Sequence, residues 1–405
     1  MDMQFGANND KSGNEAVCIF AKRKIRICYF GTYERTYPGN RALINSLRFA
    51  GMDTVECHEP LWEETQQKGK SYFGFWSLMR LGLRYLRICL SLWRKFRRLI
   101  PVDIIIVGFN GHIDLLLAKV LSKWYGARLI FNPMVSIYDA IVVDKQFYAE
   151  SSWPAKAILA FERFLCRLPD AVLLDSEEHY KFWNRYLKLP PERYFPLPWG
   201  VDEAIFYPQS PTRSADGVFR VLFYGKFQPL QGVIYIIEAA KLLESYPDIQ
   251  FTIIGRGPTW SDVSARAQEL DLDNVNFIES VDLHELPRYI ANADVCLGIF
   301  GRTPKYNRCI PNKVLQALSM QRPVLTGHNS AMHEFMESGQ HLLFCPPGDP
   351  QAIADGILAL QQNPSLRQYL GKNGYRLFQE KFASRAIAQL VRVYCEKLIR
   401  EKENL

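Results

Sequence analysis

Two basic residues bracket a helix start in the C-terminal third of the chain. The stretch Arg308-Cys309-Ile310-Pro311-Asn312-Lys313 leads into Val314, Leu315 and Leu318 at helical spacing, then into Arg322-Pro323-Val324-Leu325-Thr326-Gly327. Pro311 has no N–H to donate and a fixed φ, so it stops what precedes it yet suits the first turn of a helix. Arg322-Pro323 ends that helix, and Val324 to Gly327 reads as a short buried strand with a turn. The first turn of a helix exposes unpaired N–H groups at the positive end of its dipole. With Arg308 and Lys313 beside it, such a terminus suits a phosphate or diphosphate. Taken alone, an ordinary strand–helix crossover that opens with a proline explains the same residues.

Other residues of phosphate or hydroxyl chemistry sit at strand ends. Tyr224-Gly225-Lys226 closes one apolar run, and Pro229-Leu230-Gln231-Gly232 opens the next helix. A glycine there lets backbone approach a ligand, and Lys226 could neutralise a diphosphate. Ile254-Gly255-Arg256-Gly257-Pro258 is a second glycine turn, with Arg256 inside it, but the third glycine of a dinucleotide fingerprint is absent. Near the start, Gly31 ends a strand. The loop after it carries Arg35, Asn40 and Arg41, and Asp139 lies further along. His112 follows Gly108-Phe109-Asn110-Gly111 at a helix start, where proton or hydroxyl contact in a cleft and simple capping are both open. There is no H-E-x-x-H, no Cys/His metal spacing, no G-x-S-x-G and no G-x-x-x-x-G-K-[ST]. No metal site is expected, and Asp271-Leu272-Asp273 reads as a turn.

These residues need elements to position them. Strand–helix alternation runs from Lys24 to Asp175 and restarts at Arg220 after a polar, proline-containing joint. This predicts an α/β protein of two doubly wound domains facing a cleft. The expected boundaries are a disordered leader at 1–22, a first domain at 23–207, a linker at 208–216 and a second domain at 217–380. A C-terminal helix at 381–405 would pack back on the first domain. A chain of 405 residues suits two cores, and 48% hydrophobic with 22% charged residues is globular. Nine singly scattered cysteines within apolar runs indicate small core residues in a reducing compartment. Neither a secretory leader nor a membrane-spanning run is evident, so a cytoplasmic location is expected. A net charge of +7 favours anionic small molecules or membrane surfaces, and nothing points to nucleic acid.

Residues 75–100 depart from the rhythm. Arg80, Arg84, Arg87, Arg94 and Arg98 fall on one face of a helix that is otherwise largely apolar, with Trp76 and Trp93 near its ends. An interfacial helix on the inner face of a membrane, docked on anionic lipid, and a buried helix with one solvated stripe both fit.

The order of motifs in the second half resembles a known family. F-T-I-I-G-R-G-P at 251–258, N-V-N-F-I at 274–278, A-D-V-C-L at 293–297, I-P-N-K-V-L-Q-A-L-S-M-Q-R-P-V-L at 310–325 and L-L-F-C-P-P-G-D-P at 342–350 are similar to family 4 of the retaining glycosyltransferases. W-G-V-D-E-A-I-F-Y-P at 199–208 resembles that family's interdomain segment, and the first domain is a looser match. The resemblance implies the GT-B fold of two Rossmann-like domains. It also implies a nucleotide-sugar donor on the second domain, with Gly31 and Arg256 among the donor contacts, an acceptor on the first beside Arg35, Asn40, Arg41 and Asp139, and transfer with retention, with no cofactor. Lys226 stands where the family usually has an arginine on the donor diphosphate, and Gln231 where it has a second basic residue. The family's two glutamates fall on Arg308 and Gln316, and Glu334 matches a further one. Gln316 can still bond a sugar or ribose, and Arg308 could contact phosphate. The expected activity is hexosyl transfer to a glycolipid or polysaccharide precursor. The alternatives are a GT-B epimerase or phosphorylase, and a catalytically silent scaffold.

Overall fold

The computed structural model describes residues 24–35, 37–61, 75–212 and 216–403; the expected leader at 1–22 lies outside them. Two six-stranded sheets, each wholly parallel, form the two domains. The first has the order β2-β1-β3-β4-β5-β6, from β1 (Arg26–Gly31), β2 (Asp53–His58), β3 (Ile104–Val107), β4 (Arg128–Phe131), β5 (Ala171–Leu174) and β6 (Tyr194–Pro196). The second has the order β12-β11-β10-β7-β8-β9, from β7 (Phe219–Tyr224), β8 (Ile249–Ile254), β9 (Val275–Ile278), β10 (Val295–Leu297), β11 (Val324–Gly327) and β12 (Leu343–Cys345). The short edge strands β6 and β12 are the two that the sequence pattern did not announce.

Strands such as Ile104-Ile105-Ile106-Val107 are buried along their whole length. Side chains on both faces of a doubly wound sheet meet helices, which is why the run is continuous rather than alternating. In each sheet the chain winds outward in both directions from its first strand. The switch points fall between β1 and β3 and between β7 and β10. Ligands of such sheets bind beyond the carboxyl ends of the strands at that point. There β1 leads into Gly31-Thr32, and β7 into Gly225-Lys226.

The chain crosses between domains twice. It leaves the first domain through Trp199 to Asp202, where Arg41 pairs with Asp202 at 2.8 Å. It returns through the helix Ser384–Glu403, whose Ile387, Val391, Cys395 and Leu398 share one core cluster with Ile27, Tyr29, Leu43 and Leu47 of the first domain. Phe195 and Tyr394 stack there at 3.8 Å.

Candidate active site

A cavity of about 390 Å³ lies between the carboxyl edges of the two sheets. Its second-domain wall is built on the helix Asn312–Ser319. Pro311 is the N-cap in extended backbone, without a side-chain cap. The N–H groups of Val314 and Leu315 both return to the Pro311 carbonyl, at 3.0 and 3.4 Å. Those of Asn312 and Lys313 have no acceptor among the described residues, so two donors stand at the cavity at the positive end of the helix. Gly225 (φ +143°) passes so near that a β-carbon on it would stand 3.1 Å from Lys313 Nζ. That approach and that φ both call for glycine.

Lys313 is buried. Its ammonium donates to Gln231 Oε1 and lies 3.6 Å from the centre of the Phe223 ring. Burial drives its pKa well below that of an ordinary lysine. Lys226 is exposed at the mouth, and Gln316 lines the cavity beside the helix start. The structure thus brings together Gly225, Lys226, Gln231, Arg308, Pro311, Asn312, Lys313 and Gln316.

The facing wall comes from the first domain and holds a pair that the sequence reading missed. Asp175 follows β5, and His179 lies in the helix Glu177–Phe182 that Ser176 caps. His179 Nδ1 bonds Asp175 Oδ1 at 2.8 Å, and Trp199 Nε1 donates to Asp175 Oδ2. All three line the cavity. With Nδ1 committed to a carboxylate, Nε2 is the ring nitrogen left for a ligand. The signal was present as Asp-Ser-x-x-His at a strand's carboxyl end, where one helical turn stacks His179 over Asp175.

With this geometry in place, likeness to known proteins can be weighed. The structure superposes on sucrose-phosphate synthase of Thermosynechococcus elongatus with a TM-score of 0.66 at 19% identity, covering 93% of this chain and 99% of that one. It superposes on Anabaena HepE, solved in complex with UDP and glucose, with a TM-score of 0.66 at 14% identity, covering 92% and 100%. The fold is GT-B. Residues 218–363, within the second domain, match the family model of the glycosyl transferases group 1. Relatives include alpha-D-kanosaminyltransferase of Streptomyces kanamyceticus, 27% identical over 58% of this chain and 62% of that protein. Phosphatidyl-myo-inositol mannosyltransferase of Mycobacterium leprae is 26% identical over 43% of this chain and 46% of its own length. The chain thus spans less than two-thirds of either relative.

In this GT-B frame several expected site residues have other tasks. Arg308 lines the cavity, but its guanidinium pairs with Asp139 of the first domain at 2.6 Å, with only 14% and 3% of the two side chains exposed. It also donates to the Pro304 carbonyl and lies over the Phe182 ring. Asp139 is held by what precedes it. The Glu162 carboxylate accepts the N–H groups of Ile137 and Tyr138 and the Ser136 hydroxyl, at 2.8, 2.8 and 2.9 Å. Glu334 is outside the cavity, and its two oxygens accept the N–H groups of Glu177 and Glu178 at 2.8 and 2.9 Å. A carboxylate there satisfies orphan donors and the helix dipole, fastening one domain to the other.

His112 is buried rather than cavity-lining, edge-on to Phe131 at 5.0 Å. It bonds the backbone of Val135, which does line the cavity, and burial pushes its pKa down to about 4. Gly31 (φ +115°) is a seat for Asp114, since a β-carbon there would lie 2.4 Å from Asp114 Oδ2. Asn40 is buried and fully engaged, accepting from Tyr29 Oη and Phe109 N and donating to the Glu34 carbonyl. Arg35 pairs with Glu56, and Arg256 pairs with Glu279 at 2.6 Å; neither reaches the cavity. Arg41, paired with Asp202, lines a small neighbouring pocket with Asn312 and Gln316. None of these six lines the central cavity, and each already has a bonded or packed neighbour.

Proposed function

We propose that the protein is a glycosyltransferase that moves a hexose from a nucleotide-sugar to an acceptor. One observation carries this. An uncapped helix start, a buried lysine and an exposed lysine converge from the second domain on a cavity whose other wall offers a histidine. That wall is what a diphosphate leaving group needs. Cleavage of the bond between the sugar's anomeric carbon and the phosphate oxygen puts negative charge on that oxygen. Donors at Lys226, Lys313 and the Asn312 and Lys313 N–H groups favour that charge over the ground state. His179 Nε2 accepts a hydrogen bond from a sugar or acceptor hydroxyl and orients it.

The finer reading rests on resemblance and on the names of relatives. It is a family 4 enzyme acting with retention on a glycolipid or polysaccharide precursor, needing no cofactor, in the cytoplasm and peripheral to the membrane. Two relatives act in kanosaminyl and phosphatidyl-myo-inositol mannosyl transfer, and HepE was solved with UDP. Among the described residues no helix is long and apolar enough to cross a membrane. Thermal-shift screening with UDP, GDP and ADP tests the donor site, and turnover of the matching nucleotide-sugars with product anomer analysis tests the rest. A rise in melting temperature with at least one diphosphate is expected.

A second reading, a GT-B protein that binds without transferring, draws on the engagement of Arg308 and Glu334 in contacts between the domains. Binding of a diphosphate with no consumption of any nucleotide-sugar would select it.

A further inference from the structure

We infer that one whole face of the first domain, three helices wide, docks on an anionic lipid bilayer. The helices Phe75–Arg97, Asp114–Tyr125 and Trp153–Leu165 cover the same side of the first sheet. Ile88, Leu92 and Phe96 of the first, Leu115 and Leu121 of the second and Leu165 of the third join one core with the strands. Phe96 and Tyr125 touch between the first two helices, with ring centres 5.7 Å apart.

Their outer sides are the unusual part. Leu83, Leu86 and Leu90 are exposed on the first helix. Leu116, Val120 and Trp124 are exposed on the second, and Trp153, Phe161 and Phe164 on the third. These amount to about half of the large apolar side chains exposed among the described residues. The exposed charges carried by these three helices have one sign. Arg87, Arg94, Arg97, Lys123 and Lys156 are exposed. The first helix contains no carboxylate, and the two in the others, Asp114 and Glu162, are both buried.

That combination decides the occupant. Exposed leucine and tryptophan on this scale mark an interaction face. A second copy would set arginine against arginine, and a water-facing surface would have carboxylates among its basic residues. An anionic bilayer satisfies both components, since basic side chains meet lipid headgroups while tryptophan, phenylalanine and leucine enter the interface. The expectation from sequence reached only residues 75–100; there Trp76 and Arg80 have side chains outside the described residues, and Arg84 bonds the Pro60 carbonyl instead.

The face also borders the cleft. Exposed Phe147 is followed by Tyr148 and Glu150, which line a groove of about 740 Å³. That groove and the central cavity share Arg308. An acceptor anchored by its lipid chain would therefore reach the cleft along the bilayer surface. This last step rests on the glycosyl-transfer reading; the docking does not.

Co-sedimentation of the full chain with vesicles tests it, using phosphatidylcholine alone and phosphatidylcholine mixed with phosphatidylglycerol. Binding should appear on the mixed vesicles and weaken with salt. Replacing Arg87, Arg94 and Lys123 by glutamine should lower the partition coefficient about a hundredfold, at about fivefold per charge. Trp124→Ala with Trp153→Ala should lower it at least about tenfold, since each removes a large apolar group. Circular dichroism confirms that these surface variants fold. Equal binding to both vesicle types overturns the proposal. So does full retention of binding in the tryptophan variant, which would confine contact to one helix. Self-association in the absence of vesicles that Trp153→Ala abolishes would assign the face to a second copy and overturn it as well.

Discussion

Arg308 of the second domain donates to the carboxylate of Asp139 in the first at 2.6 Å, closing the cleft with a nearly buried ion pair. Lys305 and Asp144 stand beside it at 3.7 Å. Removing one member of a buried pair leaves the other's charge uncompensated, whereas removing both does not. Arg308→Gln and Asp139→Asn should each destabilise the protein, and the double variant should lose less than the sum. A coupling of about 1–3 kcal/mol is expected from denaturant unfolding of the four proteins. Strict additivity would show that the pair is a coincidence of packing.

Lys226 and Arg256 make an informative contrast. Both follow strands of the second sheet, but Lys226 lines the cavity while Arg256 is paired with Glu279 and lies over Trp260. Lys226→Ala should weaken binding of the free diphosphate by about 1.5–3 kcal/mol, the scale of a charge-assisted hydrogen bond. Arg256→Ala should leave it nearly unchanged. Isothermal titration calorimetry on the two variants reads both outcomes, and equal losses would refute the placement of the diphosphate.

How far the sequence carried follows from these residues. Strand ends, the proline at 311 and the glycine at 225 were legible because φ restrictions and apolar runs act locally. That put the donor wall in view. Pairings across the cleft were not legible. Nothing in the spacing says that Arg308 finds Asp139, or that Glu334 caps the helix at Glu177, since each depends on how two domains approach. Burial was the other gap. Gly31 ends β1, and Asn40 and His112 lie at the helix starts after β1 and β3, where ligand contacts belong, yet each is enclosed by a neighbour from a distant segment. His179 was overlooked for the converse reason, since in sequence it is an ordinary polar residue of a short helix.

Binding of a diphosphate should take up a proton. In the free protein burial depresses the Lys313 pKa well below the usual lysine value. A bound dianion beside the ammonium favours the charged form and raises that pKa again. Above the free-state pKa the lysine therefore goes from neutral to charged on binding, and affinity falls as pH rises. Calorimetry in buffers of different ionisation enthalpy should show net uptake, and Lys313→Met should abolish it. Uptake that persists in that variant would place the proton elsewhere.

His112 makes a stability prediction instead of a catalytic one. His112→Ala removes a buried ring, which should cost about 2–4 kcal/mol and leave diphosphate affinity unchanged. The pH dependence carries a sign. Because the folded-state pKa is pushed down to about 4, the unfolded chain binds the extra proton first, so His112 costs stability as pH falls below about 6.5. Glu162, 3.7 Å away, acts oppositely: burial raises its pKa from 4.5 to about 7, so it costs stability as pH rises through that range. In His112→Gln only the carboxylate's dependence remains. Melting temperature should then fall from about pH 4.5 to about pH 7, where the parent protein is flatter.

His179 should position a hydroxyl for transfer. Its Nδ1 is held by Asp175, whose other oxygen is held by Trp199, so the imidazole is fixed with Nε2 toward the cavity. Nε2 can accept a hydroxyl's hydrogen bond only while the ring is neutral. His179→Ala should lower turnover by about 10- to 100-fold, the range for a positioned hydrogen-bonding group. It should leave diphosphate affinity intact. His179→Gln, which can still accept a bond, should recover part of the rate. Equal loss in His179→Ala and His179→Gln, with no recovery in the glutamine variant, would mean that His179 only packs the wall of the cavity.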